Sequence, residues 1–111
     1  MATGTIKTNP VQTGTCEGIS AAGMTSNTSN ISYINHLALL NVNIRKTSGF
    51  ASETWVDVLN ISPAPSSDQN VIATWGSNNL TIRVYSTGVV SVYAHNANFT
   101  GFARVVIPFF F

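Results

Sequence analysis

Residues 79–95, NLTIRVYSTGVVSVYAH, decide how the rest of the chain is read. Leu80, Ile82 and Val84 alternate with Thr81, Arg83 and Tyr85; further on, Val90, Val92 and Ala94 alternate with Ser91, Tyr93 and His95. Alternation with period two sends one set to a buried face and the other outward, the pattern of two half-buried strands. The turn between them has to keep that parity, because a one-residue slip would expose every apolar side chain to water. A two-residue loop at Thr87-Gly88 sets Val84 against Ser91, a mismatch. A three-residue loop, Ser86-Thr87-Gly88, sets Val84 against Val90, Ile82 against Val92 and Leu80 against Ala94. It also places glycine third, where a type I turn followed by a bulge demands a left-handed residue. The spacing therefore predicts a hairpin with a three-residue loop and Gly88 at positive φ.

Upstream and downstream the same punctuation recurs. Residues 3–8 and 15–20 read as short edge strands, with Asn9-Pro10 and Gly14 as breakers. The polar cluster over 25–30 reads as a loop. Residues 31–34 predict a strand, Asn35-His36 a turn, and 37–46 a longer strand with Leu40, Val42 and Ile44 facing in. The strand over 53–61 carries apolar groups at both parities, Val56 and Val58 on one side, Trp55 and Leu59 on the other. Such a strand is central or lies against another subunit. A stiff Ser62-Pro63-Ala64-Pro65 connection, a strand over 71–75 and a last strand over 99–109 complete the reading, with Pro108 confined to an edge or an end. Short strands at intervals of about 8–12 residues, with no helical period, predict an all-β antiparallel sandwich, jelly-roll-like. One domain is expected overall, with sparse N-terminal strands and a loop over 1–30 and the sandwich proper over 31–111.

Composition narrows the function classes. The chain has 111 residues, enough for one domain with a substantial core. Charged residues make up only 8%, against about 25% in ordinary soluble domains, so Asn, Ser and Thr carry the polar surface. A formal charge of +1, with the basic residues scattered from Lys7 to Arg104, gives little scope for phosphate neutralisation, and no nucleic-acid partner is expected. No apolar run approaches the ~20 residues that span a bilayer, so no membrane insertion is expected. The N-terminal MATGTIKT lacks a basic region followed by an apolar core, so no export signal is expected either.

Residues with chemistry are few. Cys16 is the sole cysteine, which excludes an internal disulfide, and it reads as a small, partly buried apolar residue. Glu17, Glu53, Asp57 and Asp68 show no spacing that selects an acid/base pair; Asp57 reads as a hydrogen-bonded polar group. His36 and His95 have no companion at metal-ligand spacing, so neither metal nor cofactor is expected. Five N-x-S/T triplets occur, at Asn27, Asn30, Asn60, Asn79 and Asn98, where so Asn-, Ser- and Thr-rich a chain would give about three by chance.

The aromatic residues say more. Tyr85 and Tyr93 project from the outward face of the hairpin beside Arg83 and His95, and Trp75 lies at a strand end before the Gly-Ser-Asn-Asn turn. Aromatic faces beside amides and bases suit a sugar ring, whose apolar side stacks while its hydroxyls bond. Trp75, Arg83, Tyr85, Tyr93 and His95 are the candidate saccharide contacts; packing against a second sheet or subunit is the competing use of the same rings.

Four segments in order, ISYINHLALLNVNIRKTS, WVDVLNISPAP, TIRVYSTGVVSVYA and FTGFARVVIPFFF, resemble the C-terminal head domains of phage tail-fibre and receptor-binding proteins over residues 31–111. The hairpin has that family's I-x-V-x-x-x-G-x-V form. Its proline loop differs, having Ile61-Ser62-Pro63-Ala64-Pro65 where the family carries a Leu-Pro-x-Gly-Tyr-Arg-Pro run. The resemblance implies a homotrimeric β-sandwich on a virion fibre, made in the host cytoplasm without a signal peptide, that recognises a host-surface glycan and is not an enzyme. It supplies no binding residues. A structural trimerisation or capsid-decoration module without a ligand is the alternative, and a small hydrolase or lyase fragment a third. The apolar run from Val105 to Phe111 points to a homo-oligomer with the last strand in or beside the contact, since alternation buries only every second side chain in one subunit.

Overall fold

The computed structural model describes residues 10–95 and 97–111; the strand expected over 3–8 lies outside them. The described residues form β1 (Gln12–Thr13), β2 (Thr15–Gly18), a 3-10 turn (Ser20–Ala22), β3 (Ser26–Asn27), β4 (Asn30–Ile34), β5 (Leu37–Arg45), β6 (Trp55–Ser62), β7 (Gln69–Trp75), β8 (Asn78–Val84), β9 (Val89–Ala94) and β10 (Ala103–Phe110). Two antiparallel sheets pack face to face. Sheet A runs β1-β4-β5-β10, with β3 continuing the β4 edge of β5; sheet B runs β2-β6-β9-β8-β7.

The β8–β9 hairpin forms in the register its pattern demands, with Leu80 opposite Ala94, Ile82 opposite Val92 and Val84 opposite Val90. Gly88 sits at φ +92°, and its N–H donates to the Tyr85 carbonyl at 2.9 Å to close the loop. A two-residue turn, Gly76-Ser77, joins β7 to β8, so β7, β8 and β9 run as consecutive hairpins. The connection that carries the cis Ser62-Pro63 bond brings β6 back beside β9. Strands β6 to β9 are therefore a Greek key held within one sheet, whereas a jelly roll is built from two such keys across a double sheet.

Two expectations change. The polar stretch over 25–30 is not all loop: Ser26 and Asn27 pair with Arg45 and Ile44 of β5. The nine-residue β5 outlasts the five-residue β4, and the remaining open edge is covered by this short strand and by the Ser29 hydroxyl, which accepts the Asn43 N–H at 2.9 Å. The strand over 53–61 is not apolar on two faces. A register shift against β9 between Asp57 and Leu59 marks a bulge at Val58. Past the bulge the parity reverses, so Val58, Leu59 and Ile61 are all buried while Trp55 stays outside. β6 is nonetheless an interior strand, flanked by β2 and β9.

The core lies between the sheets. Ile31, Leu40, Val42, Ile44 and Ile107 from sheet A meet Leu59, Leu80, Ile82, Val84, Val90 and Val92 from sheet B, all essentially inaccessible. Phe50 and Phe99 plug one end of it, tied by reciprocal backbone bonds of 3.0 and 2.9 Å. At the other end Phe109 points inward and Phe111 packs edge-on against Tyr33 and His36. Residues 12–27 are woven into both sheets through β1, β2 and β3, so the chain is a single unit over its described length. The switch between sheets occurs at Gly14, where an added Cβ would lie 2.2 Å from the Ser62 carbonyl oxygen.

Candidate functional site

The outer face of sheet B is built by the same parity that fills the core. Where Leu80, Ile82 and Val84 point in, Thr81, Arg83 and Tyr85 point out; where Val90, Val92 and Ala94 point in, Ser91, Tyr93 and His95 point out. Register places Asn70, Arg83, Ser91 and Asp57 in one row across four strands, and Ile72, Thr81, Tyr93 and Trp55 in the next.

Within that grid the side chains form a continuous strip. The Arg83 guanidinium carbon lies 4.8 Å from the Trp55 ring centre and 5.8 Å from that of Tyr85. One strand, β9, separates Arg83 from Trp55, and its Ser91, opposite Arg83, is small enough to let the guanidinium reach across to the indole. Arg83 Nε donates to Asn70 Oδ1 at 2.7 Å, which fixes the group in place. Trp55 meets Tyr93 at 5.1 Å between centres, and Tyr93 meets His95 edge-on at 5.0 Å. His95 Nε2 shares a hydrogen bond with the Thr81 hydroxyl. The Ser91 hydroxyl donates to the Asp57 carboxylate beneath the strip, as a hydrogen-bonded Asp57 requires. The result is a strip running Tyr85, Arg83, Trp55, Tyr93, His95, each member held by a neighbour before any ligand arrives. Pre-set rings lose little side-chain freedom on binding.

Four of the five candidates from sequence therefore come together: Arg83, Tyr85, Tyr93 and His95. Trp75 does not join them. It shares parity with the buried Ala73 and packs at 6.1 Å from Phe102, over Gly101, where an added Cβ would lie 2.0 Å from Trp75 Cγ. Its ring, half exposed, lies at the side of the sandwich where β7 and β10 run close to one another. The member that sequence reasoning missed is Trp55. The signal for it was present: Trp55 and Asp57 share one parity, and the adjacent apolar pair Val58-Leu59 breaks the alternation as a bulge does.

The remaining chemistry is dispersed. Asp68 accepts the Ser86 N–H at 2.8 Å and so belongs to the hairpin loop, away from the Asp57–Ser91 pair. Burial pushes the Cys16 thiol above its usual range, which disfavours the reactive thiolate. Among the described residues no three His, Cys, Asp or Glu side chains are grouped as metal ligands would be, and no helix is long and apolar enough to cross a membrane. No protein-family model, curated protein or solved structure matches the chain.

Proposed function

We propose that this chain is a receptor-binding module of a virion fibre that recognises a host-surface saccharide through the outer face of sheet B. The observation that carries the reading is the strip of Tyr85, Arg83, Trp55, Tyr93 and His95 on one open, strand-borne surface. Its rings offer flat apolar faces to a pyranose, and Asn70, Thr74 and Thr81 border them with neutral hydrogen-bonding groups. A surface carried on strands is held more firmly than one on loops, which suits shallow recognition of a repeating glycan. Asp57 and Asp68 are each engaged by a separate partner, Ser91 and the Ser86 N–H, which suits binding without catalysis. The likeness of residues 31–111 to phage tail-fibre heads supplies the virion setting, assembly in the host cytoplasm and the homotrimer.

A glycan array probed with the wild-type chain and with Trp55→Ala and Tyr93→Ala tests this. Each substitution is expected to weaken the bound glycan by about 2 kcal/mol, roughly 30-fold in Kd. Trp75→Ala leaves affinity unchanged. An array with no binding removes the saccharide and leaves the structural reading, a trimerisation or decoration module without ligand; binding by Trp55→Ala and Tyr93→Ala equal to that of wild type removes the sheet B strip as the site. The apolar outer face of sheet A is the feature that favours that second reading.

A further inference from the structure

Sheet A turns an apolar surface to solvent at the end opposite its arginines. Register sets Ile34, Leu37 and Phe110 in one row, which Val11 extends, because Gln12 pairs with Tyr33. Ser32, Leu39 and Pro108 form the next row, and Asn41 with Val106 the one after. The exposures are far from those of a core: 70% for Val11 and Phe110, 56% for Val106, 46% for Leu39 and 43% for Leu37. No charged residue falls in these rows; the first is Arg104, opposite Asn43. Together the side chains leave on the order of 500 Å² of apolar surface, as large as the biggest patch on an ordinary monomer.

We infer that copies of this chain meet through this face, which deepens the homo-oligomer part of the reading above and rests on it. Area supports a second copy: an apolar centre of about 500 Å², rimmed by the neutral Thr13, Asn30, Ser32 and Asn41, reaches the roughly 800 Å² per partner of a stable interface. A neutral rim also brings no like charges together when two copies approach. The alternative route, pairing β10 edge to edge, is blocked. Ser66 donates its N–H to the Phe110 carbonyl on the free side of β10 at 2.9 Å. Strand parity turns Pro108, which has no N–H, toward that same side. Contact is therefore face-on, and it leaves the aromatic strip of sheet B on the outside.

Light scattering on size-fractionated protein at about 100 µM tests the inference with wild type, Leu39→Glu, Phe110→Glu and, on the other sheet, Ile72→Glu. Wild type and Ile72→Glu are expected at a multiple of the single-chain mass, and the two sheet A variants at one chain, with far-UV circular dichroism unchanged. A monomeric wild type overturns both this inference and the homo-oligomer. An oligomer that survives both sheet A substitutions, or that only Ile72→Glu dissociates, overturns the face alone. Should either Glu variant fail to fold, Leu39→Cys in a Cys16→Ser background replaces it: oxidation gives a covalent dimer if the faces meet, and none within a proven oligomer overturns the contact. Glycan binding by the dissociated variants is read separately, since the strip lies on the opposite sheet.

Discussion

Gly88 and Gly76 both hold positive φ, at +92° and +61°, yet their surroundings differ. A Cβ at Gly88 would lie 2.5 Å from the Ile61 carbonyl oxygen, while one at Gly76 would meet nothing within 4 Å. Gly88 also accepts the Ile61 N–H at 2.8 Å, so the loop cannot move aside without breaking its tie to β6. Gly88→Val is therefore expected to cost about 2–4 kcal/mol, strain and overlap combined, and to lower Tm by about 10–20 °C. Gly76→Asn, in a left-handed conformation that Asn tolerates, is expected to cost under about 1 kcal/mol. Thermal melts of the two variants check the contrast, and equal losses would place the Gly88 requirement in φ alone. The positive φ at Gly88 was legible from parity. The approach of Ile61 was not, because the Greek key brings it from 27 residues earlier in the chain.

At the scale of the element, β6 shows how one inserted residue changes the meaning of a strand. Read with strict alternation, Leu59 shares a face with Trp55; with the bulge at Val58, it turns into the core at 0% exposure. Leu59→Ala is thus expected to cost about 2–5 kcal/mol by denaturant titration, the range for a leucine removed from a packed interior. The loss is expected to be the same at low and high protein concentration, because the side chain is buried within one chain. A loss that grows on dilution would return Leu59 to a subunit contact. The same bulge keeps Trp55 outside, in register with Tyr93, and so completes the aromatic strip. β10 obeys alternation without interruption: Ile107 and Phe109 are buried, Val106 and Phe110 exposed, and Pro108 lies on an edge strand as its missing N–H requires.

For the molecule as a whole, the scarcity of charge shapes what recognition can rest on. Five basic and four acidic residues are spread over 111 positions, and of these Arg83 stands in the aromatic strip with its Nε already bonded to Asn70. Stacking and neutral hydrogen bonds are screened little by ions, so glycan binding is expected to change less than about threefold between roughly 0.1 and 1 M NaCl. A fall of tenfold or more would transfer recognition to an acidic polymer. The place for it would be the other face, where Arg45 and Arg104 lie 4.9 and 4.3 Å from the centre of the Phe102 ring. Titration calorimetry at the two salt concentrations distinguishes the cases.

Local alternation was enough to determine the hairpin register, the inward set Leu40, Val42 and Ile44, and the placing of Phe109 and Phe110 on opposite faces, because each depends only on neighbours along the chain. Four residues of the candidate site followed from the same source, since parity alone assigns Arg83, Tyr85, Tyr93 and His95 to one side. Two things required the tertiary structure. Trp75 left the site and Trp55 entered it because the first depends on which strand flanks β7 across the sandwich edge, and the second on a bulge that exists only against β9. The apolar outer face of sheet A was hidden for the same reason: Val11, Ile34, Leu39, Val106 and Phe110 are far apart in sequence, and only the pairing of four strands draws them into one surface.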